Sequence, residues 1–193
     1  MGPAGTSEVT DIVIVMSITT RRALPGEAAE LHTLAARTFA LACPPGTLPA
    51  DIDAFVAANL SEAKFETYLK DDDRIILVAP AEAPVGYSML VRGPIADPDV
   101  RAVVPAAGSI ELSKFYLLED SHGSGIAGAL MQATLAAAAA AGATTCWLGV
   151  NQQNERAAKF YAKHGFDIVG TKHFLVGNEW HDDHVRLRAL AGA

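Results

Sequence analysis

The stretch Glu111–Gly128, ELSKFYLLEDSHGSGIAG, decides how the rest of this 193-residue chain is read. An apolar strand, Ser109–Leu118, runs into a glycine-rich turn and then directly into a helix. Gly123, Gly125 and Gly128 allow the backbone to approach a ligand without interference from a Cβ. The following helix points its unpaired first N–H groups and the positive end of its dipole back at the turn. Strand, turn and helix start together make a seat for phosphate oxygens.

The helix after the turn runs to about Ala141, through the strongly helix-forming ATLAAAAAA, and Gly142 ends it. Thr144–Val150 then reads as a buried strand and Asn154–His164 as a short helix stopped by Gly165. Phe166–Leu175 and His181–Leu190 follow as strands joined by a turn at Gly177–Asn178. Upstream, Ile12–Arg22 reads as a first strand. Glu27–Ala42 is a helix whose apolar stripe runs through Leu31, Leu34, Ala35 and Phe39. CPPGTLPA breaks it at Cys43–Ala50, and Asp51–Leu60 and Ser61–Lys70 are two short helices. Arg74–Ala79 and Pro84–Val91 form an antiparallel hairpin, and Gly93–Gly108 reads as a loop. The pattern predicts one α/β domain with a mixed, mostly antiparallel twisted sheet flanked by helices. It occupies residues 16–190, after a 1–15 extension that includes the start of the first strand. Met16 is a possible natural start.

Bulk properties narrow the partners. Half of the residues are apolar, so the chain can bury a full core. A formal charge of −7, from 22 acids against 15 bases, disfavours nucleic acid as a partner. No apolar run approaches the ~20 residues of a membrane span, so no membrane partner is expected. The first fifteen residues lack the basic start and long apolar core of a signal peptide. Cys43 and Cys146 have no neighbouring metal-ligand pattern, and both are expected to pack as reduced thiols in a cytoplasmic protein.

The phosphate ligand is the next question. Gly123-Ser124-Gly125-Ile126-Ala127-Gly128 matches the dinucleotide fingerprint G-x-G-x-x-G. That fingerprint needs an acid at the end of the next strand to hold a ribose. Here that strand ends in Asn151-Gln152-Gln153, and no acid is present. A Walker loop is excluded as well, because no Lys-Ser or Lys-Thr follows the glycines.

The chain instead resembles the GNAT superfamily of acyl-CoA-dependent N-acetyltransferases. Its pyrophosphate loop, Gln/Arg-x-x-Gly-x-Gly/Ala, corresponds to His122-Gly-Ser-Gly125-Ile-Ala127, with His122 a departure at the first position. A second block, Asn154-Glu-Arg-Ala157-Ala-Lys-Phe160-Tyr161-Ala-Lys-His-Gly165-Phe166, looks like the family's N-x-x-A-x-x-F-Y-x-x-x-G-F. Within the family, Gly170–Glu179, Asp182-Asp183 and the helical insert around Leu48–Leu69 resemble bacterial spermidine/spermine N-acetyltransferases.

The resemblance implies acetyl-CoA as co-substrate, with no metal, and a small-molecule amine acceptor, polyamines first. Backbone amides from His122 through Gly123, Ser124, Gly125, Ile126, Ala127 and Gly128 are then expected to hold the pyrophosphate. The backbone of Phe115, Tyr116 and Leu117 is expected to lie along the pantetheine, and an N–H near Tyr116 or Leu117 to serve the oxyanion. Asn154 is expected to cap its helix and to contact the same arm. Tyr161 is the expected proton donor to the leaving thiolate, against the alternative that it packs beside Phe160. Glu111 is the expected base, acting through water, against the alternative of a solvated or paired carboxylate. A homodimer is common in the family. A protein or antibiotic acceptor, or an acyl-CoA-binding sensor without catalysis, are the other functional readings.

His181-Asp-Asp-His184 carries no metal expectation, since strand residues three apart point to opposite faces. His173 is a residue that could approach the acceptor. Asp182, Asp183 and Glu179 are acids that could attract a polycation, against the alternative of a solvated edge.

Overall fold

The computed structural model describes residues 18–43, 46–121, 123–176 and 179–190. The turn expected at Gly177–Asn178, His122, the 1–15 extension and the expected first strand as far as Ser17 lie outside these residues. What is described of the first strand is short. β1 is Arg21–Arg22, paired antiparallel with Val78 and Leu77.

Helix α1, Ala28–Phe39, follows the predicted stripe and buries Leu31, Leu34, Ala35 and Phe39. A single 3-10 turn, Ala40–Ala42, extends it, and α2 (Pro49–Asn59) and α3 (Glu62–Lys70) come next. Strands β2 (Arg74–Ala79) and β3 (Gly86–Val91) form the expected antiparallel hairpin. The segment Gly93–Gly108, read from sequence as a loop, contains a one-turn helix, α4, at Pro98–Arg101. Its cause is local. Pro98 fixes the first helical position, and an Asp97 side-chain oxygen accepts from the N–H groups of Asp99 and Val100. The turn buries Val100, which packs with Val104, Trp147 and Val185.

The second half carries β4 (Ser109–Leu117), α5 (Ile126–Ala140), β5 (Thr145–Asn151), α6 (Glu155–Lys163), β6 (Asp167–Val176) and β7 (Glu179–Ala189). The seven strands form one sheet in the order β1-β2-β3-β4-β5-β7-β6. Every pairing is antiparallel except β4 with β5. The sheet is therefore mostly antiparallel, as the sequence predicted.

Each face of the sheet has its own core. On one side, Leu130, Met131 and Ala138 of α5 pack against Ile110, Leu112, Cys146 and Leu148. On the other, Leu31 and Ala35 of α1 and Phe65 of α3 cover Ile76, Tyr87 and Met89. A buried hydrogen bond between the hydroxyls of Ser88 and Thr134 (2.7 Å) ties α5 to β3. Such paired burial removes the cost that either hydroxyl would carry alone.

Two irregularities interrupt the middle of the sheet. The β3–β4 ladder pairs Met89 with Lys114 but Leu90 with Leu112, so Ser113 is one residue in excess. A bulge of this kind bends its strand and increases the local twist. The β4–β5 ladder contains Ser109↔Thr145, Ile110↔Cys146 and Glu111↔Trp147, and then stops. β4 leaves β5 at the point where the bulge bends it.

Candidate active site

Beyond Glu111 the two strands diverge and leave a cleft of about 610 Å³ that reaches both faces of the sheet. Opposite residues of an antiparallel pair alternate between exchanging hydrogen bonds with the partner and facing away. The Leu118 N–H donates to the Val85 carbonyl (2.8 Å), which places these two residues at a hydrogen-bonded position of the ladder. Two residues back, Tyr116 and Tyr87 form the next such pair, so the backbone of Tyr116 is engaged with β3. Phe115 and Leu117 then turn their N–H and C=O groups toward the cleft. Of the residues expected to lie along a ligand, these two turn their backbone to the cleft, whereas Tyr116 lines it with its side chain. Its ring lies 6.4 Å from Phe39 and 5.8 Å from Tyr87, on the α1 face, while Phe115 and Leu117 face α5 and α6.

The glycine turn closes one end. Gly123 and Gly125 have φ of 80° and 85°, values that L side chains rarely adopt, which explains glycine at both places. Added Cβ atoms at Gly123 and Gly128 would meet nothing within 4 Å, so the space above the turn is open. The Ser124 hydroxyl donates to the Ser121 carbonyl (2.6 Å) and holds the turn in shape. Ile126, Ala127 and Gly128 form the first turn of α5, whose N–H groups point out of the helix start. Gly123 and Ala127 line the cleft. An anionic group fits this end on the donor geometry alone.

The α6 side supplies Asn154, Arg156, Ala157, Phe160 and Tyr161 to the same cleft. Asn154 Oδ1 accepts from the Ala157 N–H (3.0 Å), so the expected cap is made. Tyr161 packs against Phe115, Phe160 and Phe166 at ring distances of 6.4, 5.7 and 5.9 Å. It is therefore both a core residue and a lining residue, and the two sequence alternatives are not exclusive. Burial raises its phenol well above the ordinary value, followed by the influence of Cys146, so it stays a proton donor at neutral pH.

On the opposite face the cleft is walled by Phe39 and Phe55, stacked at 4.4 Å and nearly parallel, and by Tyr68. Glu111 lines it at the vertex of the split, half-buried and level with Trp147. Lys114, Lys172, His181 and Asp183 also line it. Lys172 and Asp183 are cross-strand partners on β6 and β7, and Asn151 and Asp183 are partners on β5 and β7. Gly149 makes this row possible. A Cβ there would lie 2.4 Å from Lys172 Cε and 3.3 Å from Asp183 Oδ2.

Burial lowers the Lys114 ammonium from its usual range, and its Nζ donates to the carbonyl and hydroxyl of Ser113 (3.3 and 3.2 Å). Burial also raises the Asp183 carboxyl, against the opposing pull of Lys172 and His181 and an Asn151 hydrogen bond.

Some expectations fall elsewhere. His173 is exposed and pairs with Asp182 (2.8 Å) outside the lining residues, so His181 is the strand histidine that reaches the cleft. Of the two adjacent acids, Asp183 lines the cleft and Asp182 does not. Glu179's side chain and His122 lie outside what is described. Lys114, Lys172 and Gly149 were not singled out from sequence. Lys114 lies inside the deciding strand, but its exposure to the cleft follows from the split. Lys172 is seen only once β6 and β7 are set in register. Among the described residues no group of three or more His, Cys, Asp or Glu could hold a metal ion. Among them, no helix is long and apolar enough to cross a membrane.

Comparison with known proteins agrees with this architecture. A sequence profile of the Acetyltransferase (GNAT) family matches residues 35–166. An uncharacterised N-acetyltransferase of Mycobacterium bovis is 50% identical over 165 residues, covering 85% of this chain and 98% of the relative. One from Mycobacterium tuberculosis H37Rv matches with the same identity and coverage. Among solved structures, the PaiA N-acetyltransferase of Thermoplasma acidophilum, in complex with coenzyme A, superposes with a TM-score of 0.71 at 20% identity. That match covers 90% of this chain and 99% of the other. A Salmonella typhimurium protein solved with its cofactor acetyl-CoA gives 0.62 at 17% identity, covering 92% and 96%. With the split sheet, the glycine turn and the profile match in agreement, this chain belongs to the GNAT family and is an N-acetyltransferase.

Proposed function

We propose that the enzyme transfers the acetyl group of acetyl-CoA to the primary amine of a small acceptor, by direct attack with both substrates bound. The observation that carries this reading is the cleft itself. It passes between β4 and β5, with the glycine turn and α6 on one face and the aromatic wall on the other. Two molecules can enter from opposite sides and meet at the gap without a covalent enzyme intermediate. Relatives of this fold from Thermoplasma acidophilum and Salmonella typhimurium were solved with coenzyme A and acetyl-CoA, which supports the choice of donor.

Acetyl-CoA supplies an acyl group activated as a thioester, and the residues of the cleft bind and orient it. The turn at Gly123–Gly128 and the start of α5 take the pyrophosphate, with Asn154 at the same arm. The backbones of Phe115 and Leu117 run beside the pantetheine, and the Leu117 N–H is the donor for charge building on the carbonyl oxygen. Tyr161 gives a proton to the departing thiolate. Glu111, at the vertex, takes protons away through water. No part of this scheme uses a metal.

The sequence resemblance favours a polyamine acceptor, and spermidine and spermine head the panel to be tested. Thiol release from acetyl-CoA is followed with those amines, phenethylamine, butylamine and a lysine-containing peptide. Acceptor-dependent release with intersecting initial-rate lines is expected. Parallel lines would point to an acetyl-enzyme and remove direct attack. Release that no amine stimulates would remove the small-amine reading.

A further inference from the structure

Asp183 stands out among the described polar residues. Its residue exposure is 7%, it lines the cleft, and its Oδ1 has no hydrogen-bond partner among the described residues. A buried carboxylate oxygen without a partner costs stability unless something else completes it. The neighbouring carboxylate illustrates the contrast. Asp182 is exposed and paired with His173.

Its position along the sheet is equally informative. Glu111 is level with Trp147, whereas Asp183 is level with Asn151. From Trp147 to Asn151 at ~3.3 Å per residue is about 13 Å along β5. Glu111 therefore sits where the strands still pair, and Asp183 sits where they have parted and the Phe115 and Leu117 backbones are open. Gly149 and Asn151, on the same face, shape the space around the carboxylate.

We infer that Asp183 is the group that receives the acceptor's ammonium, and that the acceptor, in place of the polyamine that the sequence resemblance favours, is a monoamine with an apolar substituent lying on Phe39, Phe55 and Tyr68. The inference rests on the acetyl-transfer reading above. The orphan Oδ1 provides one anionic seat. Lys114 and Lys172 line the same cleft and oppose a second ammonium on a linear polycation, and the other carboxylate there, Glu111, lies about 13 Å away along β5. The stacked Phe39–Phe55 pair offers an aromatic face for an aryl or branched alkyl group.

The proton balance is direct. Asp183 takes one proton from the ammonium and passes it to solvent by way of water and Glu111. The freed lone pair forms the C–N bond as the C–S bond breaks. The second nitrogen proton leaves with formation of the amide and, through water, replaces the proton that Tyr161 delivers to the sulfur, so the products are amide, free thiol and one released proton.

The test compares wild type, Asp183→Asn and Asp182→Asn in thiol release with phenethylamine, butylamine and spermidine. Calorimetry of phenethylammonium binding to the CoA-saturated protein runs beside it. The expected result is a loss of about 100-fold or more in amine kcat/KM for Asp183→Asn, with CoA affinity unchanged and Asp182→Asn at the wild-type rate. Phenethylamine is expected to exceed spermidine as acceptor. Wild-type turnover by Asp183→Asn, or spermidine as the better acceptor, overturns the inference.

If no amine is acetylated by wild type, the acetyl-transfer reading fails and calorimetry still decides Asp183. Binding lost in Asp183→Asn supports the seat, and equal or absent binding in both proteins removes it. Should Asp183→Asn not fold, Asp183→Ala with added formate takes its place. Restored thiol release supports the assignment and no restoration overturns it.

Discussion

At the scale of single residues, burial separates groups that look alike in the sequence. Cys43 and Cys146 were both read as packing thiols, and the structure orders them. Burial pushes Cys146 to about 12, whereas Cys43 is half-buried at the cleft wall and raised less. At pH 8, alkylation of Cys146 by iodoacetamide in the native protein is expected to be about three orders of magnitude slower than for an ordinary thiol of pKa ~8.5. Peptide mass mapping after timed quenching measures it, and labelling of Cys146 as fast as in denatured protein would contradict its placement. Tyr161→Phe keeps the ring packing with Phe115 and Phe166 and removes only the hydroxyl. A fall in kcat of about 100-fold with unchanged CoA affinity is expected, and an unchanged kcat would take the donor role from Tyr161. Tyr161 was legible because its neighbours repeat a family block. Asp183 was legible only as an acid, because an orphan oxygen is a property of three strands set in register.

At the scale of elements, the α6 segment combines a cap and a lining surface. Asn154→Ala removes the hydrogen bond to Ala157, which should cost about 1 kcal/mol in urea unfolding, whereas Asn154→Ser should largely restore it. If Asn154 also touches the donor, Asn154→Ser will regain stability without regaining CoA affinity. Recovery of both would leave it a cap alone. Helix α1 was readable from its apolar stripe, because burial of one face imposes a period on the sequence, α5 and α6 from helix-forming runs and glycine stops, and α2 and α3 as two short helices after the proline-rich break. The turn α4 was missed because a four-residue helix is too short to show a period. Its Asp97-Pro98 start was the available signal. The parting of β4 from β5 was not readable either, since a strand's composition records its burial and says little about where its neighbour stops.

At the scale of the whole molecule, three tyrosines share one thermodynamic consequence. Tyr87, Tyr116 and Tyr161 are all raised, with burial the leading cause in each. Above the unfolded tyrosine pKa of ~10, the unfolded chain releases phenolic protons that the native chain retains. Fewer bound protons in the unfolded state mean that stability falls as pH rises through that range. Asp183, raised by burial, acts with the same sign at acidic pH: its contribution is lost on going up from the ordinary carboxyl value to its own. Denaturant midpoints are therefore expected to drop steeply above pH 10. A flat profile to pH 11 would mean that these phenols are hydrated. The fold class, the succession of strands and helices along the second half and the glycine turn were legible because each rests on local pattern. The two-faced cleft depends on how distant strands meet.

The extra residue Ser113 has a final implication. Deleting it would let β4 run straight and continue its ladder with β5 past Glu111. The expected result is a more closed sheet, with added backbone hydrogen bonds and a higher melting temperature, and without the gap in which we propose that the thioester lies. Thermal tolerance and turnover are thus opposed in a single codon. A laboratory selection for heat resistance alone, applied to this protein without a demand for activity, would be drawn toward its loss.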